Sequence, residues 1–227
     1  MNEQLKQIAD RILGLAIAAL TQANTHAVFM DPGNEHWPLM SVLNTAHAGE
    51  LFLKAIIAQE HPLLIFKDLI HLDDGRADEL DLPTLLSRGR THDFEKLPQV
   101  LWAATGRRIP NRDCYERLRL ARNAIQHFCP PDDGDLGSLS IELIYTIIDP
   151  LIRERFGLCA IEYHEDHVGY DYVVSCLLRR QIRFSIPEDF YITEINMAHE
   201  VRGATPAYRT WLEDSLKHIG KQALLGE

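Results

Sequence analysis

Arg122, Asn123 and His127 stand out as residues whose types and spacing could do chemistry, in the run Arg122-Asn123-Ala124-Ile125-Gln126-His127. Arginine stays charged, can present two parallel N–H donors to a phosphate, and can stabilise charge developing at phosphorus. Histidine titrates near neutrality and can take a proton from a 2′-hydroxyl or give one to a leaving oxygen. The pair fits phosphodiester cleavage in RNA, where the substrate carries its own nucleophile and no metal is required. On a straight helix Asn123 and His127 are four apart and share a face, so the amide can orient the imidazole. Arg122 and His127 are five apart, about 140° around the axis. One histidine cannot be acid and base at once, so two copies about a dimer axis would supply both roles. The competing reading is that a cation near a helix C-terminus simply complements the dipole.

The elements that must position these residues read as helices. Leu5, Ile8, Ile12, Leu15 and Ala19 recur at helical spacing and predict a helix over about Glu3–Ala23, followed by a turn at Asp31-Pro32-Gly33-Asn34. Pro38 can open a second helix, which His61-Pro62 ends. Beside its apolar stripe run His47, Glu50 and Lys54, read either as an internal salt bridge or solvated edge, or as polar groups facing a site. The apolar stretch His61–His71 fits a short buried helix or an extended segment, and the acidic run Asp73–Asp81 an exposed loop. A third main helix spans Asp93–Thr105, with Phe94, Leu97, Leu101 and Trp102 inward and Gly106 as its stop. Asn111 caps the motif helix, whose apolar face is Tyr115, Leu118, Ala121, Ile125 and Phe128, and which Pro130-Pro131 ends. A helix over Ser138–Phe156 should kink at Pro150. Tyr170–Ile182 and Pro206–Leu225 read as helices, although Phe184 and Ile186 alternate like a strand.

The chain has 227 residues, 46% of them apolar and 25% charged, which suits one medium globular domain with or without an appendage. No apolar run reaches the ~18–20 residues of a membrane span, and no signal-peptide pattern is present, so a cytoplasmic protein is expected. The formal net charge of −10 does not advertise nucleic-acid binding in bulk. Locally, Gly106–Arg122 carries six arginines (107, 108, 112, 117, 119, 122) against two acids, a strip suited to a phosphate backbone unless acids elsewhere neutralise it. Arg179, Arg180 and Arg183 form a smaller cluster with the same two readings. Cys114, Cys129, Cys159 and Cys176 fit no common zinc spacing and read as reduced thiols. His164-Glu165-Asp166-His167 reads as a polar turn, or as part of a metal site if a third ligand such as Asp171 or Glu162 joined it; no metal or cofactor is expected.

Arg-Asn-x-x-x-His, following Leu118-Arg119-Leu120-Ala121, resembles the signature of HEPN domains, small all-helical domains whose R-x(4–6)-H motif marks metal-independent ribonucleases of toxin–antitoxin and abortive-infection systems. The segment Ala46–Ala55 is similar to the HEPN helix that packs on the motif helix, and the resemblance covers roughly Asn2–Phe156. It implies an antiparallel bundle over residues 1–157, used as a homodimer with facing motifs; residues 158–227, read from their periodicity as a C-terminal helical elaboration, have no counterpart in the resemblance. It implies Arg122 and His127 as catalytic and Asn123 as supporting; Glu50, Lys54, Arg119 and Arg112 join them as substrate-binding residues by pattern and position. RNA is the implied substrate, with an antitoxin or regulatory protein as a further partner. Some members carry a Tyr two residues beyond the His that a partner nucleotidyltransferase modifies; this chain has Cys129 there, which leaves that regulation unsupported. Two other functions fit the same residues: a non-catalytic module that binds RNA or a nucleotide, and a helical dimer whose motif only builds an interface.

Overall fold

The computed structural model describes residues 3–29, 33–73, 75, 79–127, 135–166 and 169–226. Its principal helices are α1 (Ile8–Val28), α2 (Trp37–Glu60), α3 (Leu82–Arg88), α4 (Leu97–Thr105), α5 (Arg112–His127), α6 (Leu136–Leu143), α7 (Asp149–Phe156), α8 (Asp171–Arg179) and α9 (Pro206–His218). Among the described residues the only sheet is a two-residue antiparallel pairing of β1 (Phe66–Lys67) with β2 (Arg90–Thr91). The class is all-α, as the periodicity predicts, and no helix among the described residues is long and apolar enough to cross a membrane.

Local chemistry sets the helix ends. Pro38 sits in the first turn of α2, and His61, which precedes Pro62, is extended and ends it. Gly106 closes α4 at φ 73°, a left-handed conformation that suits glycine. The Asn111 side chain accepts from the Cys114 amide at 3.2 Å and caps α5 as expected. Pro150 lacks the N–H that would bond the Thr146 carbonyl. The rod absorbs this through a π-helical segment, Ile144–Ile148, between α6 and α7.

α1 and α2 pack along their length and run antiparallel: His26 near the end of α1 meets Asn44 near the start of α2 at 3.1 Å. α2 is the central helix. It also packs against α4, α5 and α6, and small residues (Ala46, Ala48, Gly49, Ala55, Ala58) let these neighbours approach. The Ser41 and Ser140 hydroxyls pair at 2.9 Å within the α2–α6 contact. Residues beyond Gly157 join the same apolar core through Val173, Val174, Leu177, Leu212 and Leu216. Three buried polar side chains fix that layer. Asn24 of α1 donates to the carbonyls of Ala160 and Tyr163 and accepts from the Tyr145 hydroxyl. Asp149 accepts from the amides of Ala160 at 2.8 Å and Ser185 at 2.6 Å. Asp171 accepts from the amides of Thr193, Glu194 and Ile195.

Several inward assignments need correction. Leu15 is 62% exposed because the α1 row facing α2 runs through Ala16, Leu20 and Ala23, and Leu15 lies one residue, about 100°, off it. α1 also begins later and ends later than the apolar stripe suggests, after a separate turn at Glu3–Lys6. Trp102 is 49% exposed, since Leu97 and Leu101 face the core and Trp102 stands about 140° from Leu97. His61–His71 is two 3-10 turns around β1; Ile65 and Leu72 are buried, but Ile70 is 91% exposed. Phe184 and Ile186 lie in unpaired extended chain rather than a strand, and the last helix stops at His218 before a 3-10 turn at Gln222–Leu225. The Asp31-Pro32 turn, Phe128, the Pro130-Pro131 stop and parts of the Asp73–Asp81 loop lie outside the described residues.

Three half-buried imidazoles give the fold a pH dependence. Burial lowers the pKa of His26, His92 and His164 below the ordinary 6.5; the charges of Lys67 and Lys54 depress His92 further. The unfolded chain therefore takes up these protons first as pH falls through 6.5. Their contribution to stability is complete above that value and is lost below it. The expected result is a lower thermal midpoint at pH 5.5 than at pH 7.5, with the difference reduced in His164→Gln. Asp149, whose carboxyl is pushed up by burial, acts with the opposite sign and cannot account for a fall in midpoint.

Candidate active site

α5 buries Cys114, Tyr115, Leu118 and Ala121 against the bundle. The helical twist then distributes the motif. Arg122 falls about 20° from Tyr115 on the wheel and is half-buried on the flank next to α2. His127 is exposed, about 140° from Arg122 at the end of the helix. The Arg122 guanidinium donates to the Asn123 side-chain oxygen at 3.2 Å. That hydrogen bond differs from the expectation that the amide orients the imidazole: Asn123 holds the arginine here.

Tyr115 is the buried centre of the Arg122 flank. Its hydroxyl donates to the Phe94 carbonyl at 2.6 Å, and its ring lies 4.4 Å from that of Phe94. Burial pushes the phenol far up; Glu50 and Glu116 push it further, and Arg119 and Arg122 oppose them. The side-chain contacts of these residues lie elsewhere: Glu50 pairs with Lys54, Arg119 with Glu116, and Arg122 with Asn123. Lys54 is buried, paired with Glu50 at 2.5 Å and donating to Thr91 at 3.0 Å. Of the polar stripe of α2, Glu50 and Lys54 therefore form an internal salt bridge, while His47 is exposed. Sequence reasoning took Tyr115 only as a core residue; a phenol seven residues before the motif arginine was the available signal.

Acids from distant segments, with Glu116 of the strip itself, neutralise much of its charge. Arg107 pairs with Glu154 at 2.6 Å, Arg117 with Glu142 at 2.7 Å, and Arg119 with Glu116 at 2.8 Å and Glu95 at 3.9 Å. Arg108 stacks over Trp102, 4.9 Å from the ring centre. Arg112 and Arg122 have no acidic partner among the described residues. The second cluster is engaged likewise: Arg179 pairs with Glu200 and Arg180 with Asp135, while Arg183 lies over Trp211.

The other candidates resolve less towards chemistry. His164 accepts from the Asp166 amide at 3.1 Å within a turn, and no metal-holding group of His, Cys, Asp or Glu occurs among the described residues; His167 and Cys129 lie outside them. Burial pushes the thiols of Cys114 and Cys159 up to about 12, so neither is a ready nucleophile. A cleft of about 730 Å³, which the sequence did not reveal, lies in the C-terminal layer between α7, Phe184–Glu188 and α9, lined by Arg153, Phe184, Trp211, Asp214 and His218 among others. Comparison with protein-family models, curated proteins and solved structures finds no match for this chain.

Proposed function

We propose that the chain is a metal-independent endoribonuclease of HEPN type that acts as a homodimer. The observation that supports this most is the arrangement at the end of α5. His127 is exposed there, and Arg122 has no acidic partner among the described residues while its neighbouring arginines are held by acids. A guanidinium free of carboxylates can take a phosphate bidentately. The angle between Arg122 and His127 leaves one chain with only part of a site. Leu120, 59% exposed on the same outer face as His127, is the apolar contact that a second copy docked on that face would cover.

In this mechanism His127 takes the proton from the 2′-hydroxyl. The 2′-oxygen attacks phosphorus and the P–O5′ bond breaks. His127 of the partner subunit gives a proton to the departing 5′-oxygen. The products are a 2′,3′-cyclic phosphate and a 5′-hydroxyl. Arg122 stabilises the charge on the non-bridging oxygens, with Asn123 holding its guanidinium. Glu50 and Lys54 keep the flank beneath Arg122 in place, and Arg112 and Arg119 lie along the same helix towards the substrate strand. An RNA-cleaving toxin or abortive-infection effector, restrained by a protein partner, is the setting that the resemblance favours.

The test is incubation of total RNA with the purified chain in the presence of EDTA, with the new ends analysed. Cyclic-phosphate or 3′-phosphate ends support the proposal; absence of cleavage by a folded dimer removes the enzymatic reading. The cleft carrying Arg153, Trp211 and Asp214 favours a second reading, a nucleotide-binding module, because it offers a cation, an indole and a carboxylate to one ligand. Calorimetric titration with nucleoside monophosphates checks it, with loss of binding expected in Trp211→Ala.

A further inference from the structure

We infer that Trp102, Arg108 and Arg112 form a stacking platform for one pyrimidine base of a single-stranded RNA, upstream on the same face that carries His127. The inference deepens the ribonuclease reading and rests on it. Trp102 stands at the outer edge of α4, half exposed, where Leu97 and Leu101 already provide that helix's core contacts. Arg108 lies over the indole at 4.9 Å, so the ring belongs to a cationic stack rather than to the apolar core. Arg112, at the first residue of α5, is exposed and has no acidic partner among the described residues. Pro98, Gln99 and Ile109 complete a recess of about 150 Å³ around these three side chains.

The chemistry of the recess selects its occupant. An indole with Arg108 over its ring, and a second guanidinium, Arg112, lining the same recess, suits a base and its neighbouring phosphate: every base has a π-face, and arginine serves both the stack and the backbone. A volume near 150 Å³ is what accommodates a benzene-sized ring in a protein, which fits one six-membered base better than a fused purine. Two acids share this outer face: Glu116, compensated by Arg119 at 2.8 Å, and Asp113, exposed beside Arg112. Arg112 lies about 20° from Asn123 and about 60° from His127 on the wheel, so the three share the outer face of α5. Fifteen residues of helix separate Arg112 from His127, about 22 Å, the length of roughly six stacked nucleotides. A strand with its scissile phosphate at His127 therefore reaches the platform along the Arg112–Asn123 edge of that face, about 60–80° from the Leu120 side that the second copy covers.

The test uses the wild-type full chain and a labelled 12-nucleotide 2′-O-methyl oligouridylate, which has no nucleophile and stays intact, with binding read by fluorescence anisotropy. The expected result is binding that weakens about tenfold in Trp102→Ala and is largely retained in Trp102→Phe. Arg112→Ala lowers the slope of log affinity against log salt by about one. The oligoadenylate of the same length is expected to bind several-fold more weakly. Equal binding by wild type and Trp102→Ala, or equal binding of the two oligonucleotides, overturns the platform. Cleavage of the dinucleotide UpA, too short to span from His127 to Trp102, reports on the catalytic proposal separately. Unaltered UpA cleavage with Trp102-independent oligonucleotide binding sinks the platform alone. Trp102-dependent binding without any UpA cleavage leaves the platform standing and sinks the enzyme.

Discussion

His127→Ala is expected to cut RNA at least 100-fold more slowly than wild type, within the range of about 10² to 10⁴ that a positioned proton-transfer group supplies. The imidazole is exposed at the end of α5, so its loss should leave the thermal midpoint and oligomeric state unchanged. That separation gives the result its meaning, because a slower variant that is equally folded and equally dimeric has lost chemistry. Arg122→Ala should cost about 10² to 10³ in rate through lost charge stabilisation at phosphorus. Arg122→Lys should recover only part of it, since an ammonium cannot fork onto two phosphate oxygens. Asn123→Ala should have a smaller effect, because it removes only the oxygen that accepts from Arg122 at 3.2 Å. Gel analysis of a defined RNA, with scattering and thermal melts on the same samples, checks the series. The reading fails if His127→Ala cleaves at the wild-type rate.

The second large effect concerns stability. Asp171, 1% exposed, accepts from three consecutive backbone amides, Thr193, Glu194 and Ile195, at 3.0, 2.6 and 3.1 Å, and from the Thr193 hydroxyl. Asp171→Ala leaves these donors without their acceptor in a place where water does not readily replace it. A loss of about 3–5 kcal/mol is expected, with local loosening of the segment around Ile195. Asp171→Asn retains one acceptor oxygen and should lose less. Urea denaturation measures both. If Asp171→Ala unfolds at the wild-type urea concentration, the carboxylate does not anchor this loop.

Much of the bundle was legible because its signals are local. Leu118 and Ala121, Ile141 and Ile152, and the cap at Asn111 follow from spacing and side-chain type alone. The misplacements of Leu15 and Trp102 share one cause: an apolar residue at the margin of a stripe is assigned by hydrophobicity, whereas its neighbours' shapes decide where it points. Ala16 and Ala23 draw α2 close to α1 and turn Leu15 outward. The motif itself was legible, but its electrical surroundings were not. Glu142, Glu154 and Glu95 reach the arginine strip from other elements, and no local count of charges could have found them. Asp149 and Asp171 were likewise unreadable, because their partners are backbone amides 11 to 36 residues away.

The π-helical segment Ile144–Ile148 has a consequence for what kinds of sequence change this chain can tolerate. A π turn holds one more residue than an α turn, so everything after it is indexed about 100° differently from an uninterrupted helix. Asp149 follows immediately and meets the amides of Ala160 and Ser185 only at that setting. Length therefore matters here more than identity. Substitutions of Ile144 or Ile147 by similar apolar residues keep the setting, and deletion of one residue leaves four α residues that sweep nearly the same angle as the five π residues, whereas insertion of one more residue would swing Asp149 off its partners and uncouple the C-terminal layer.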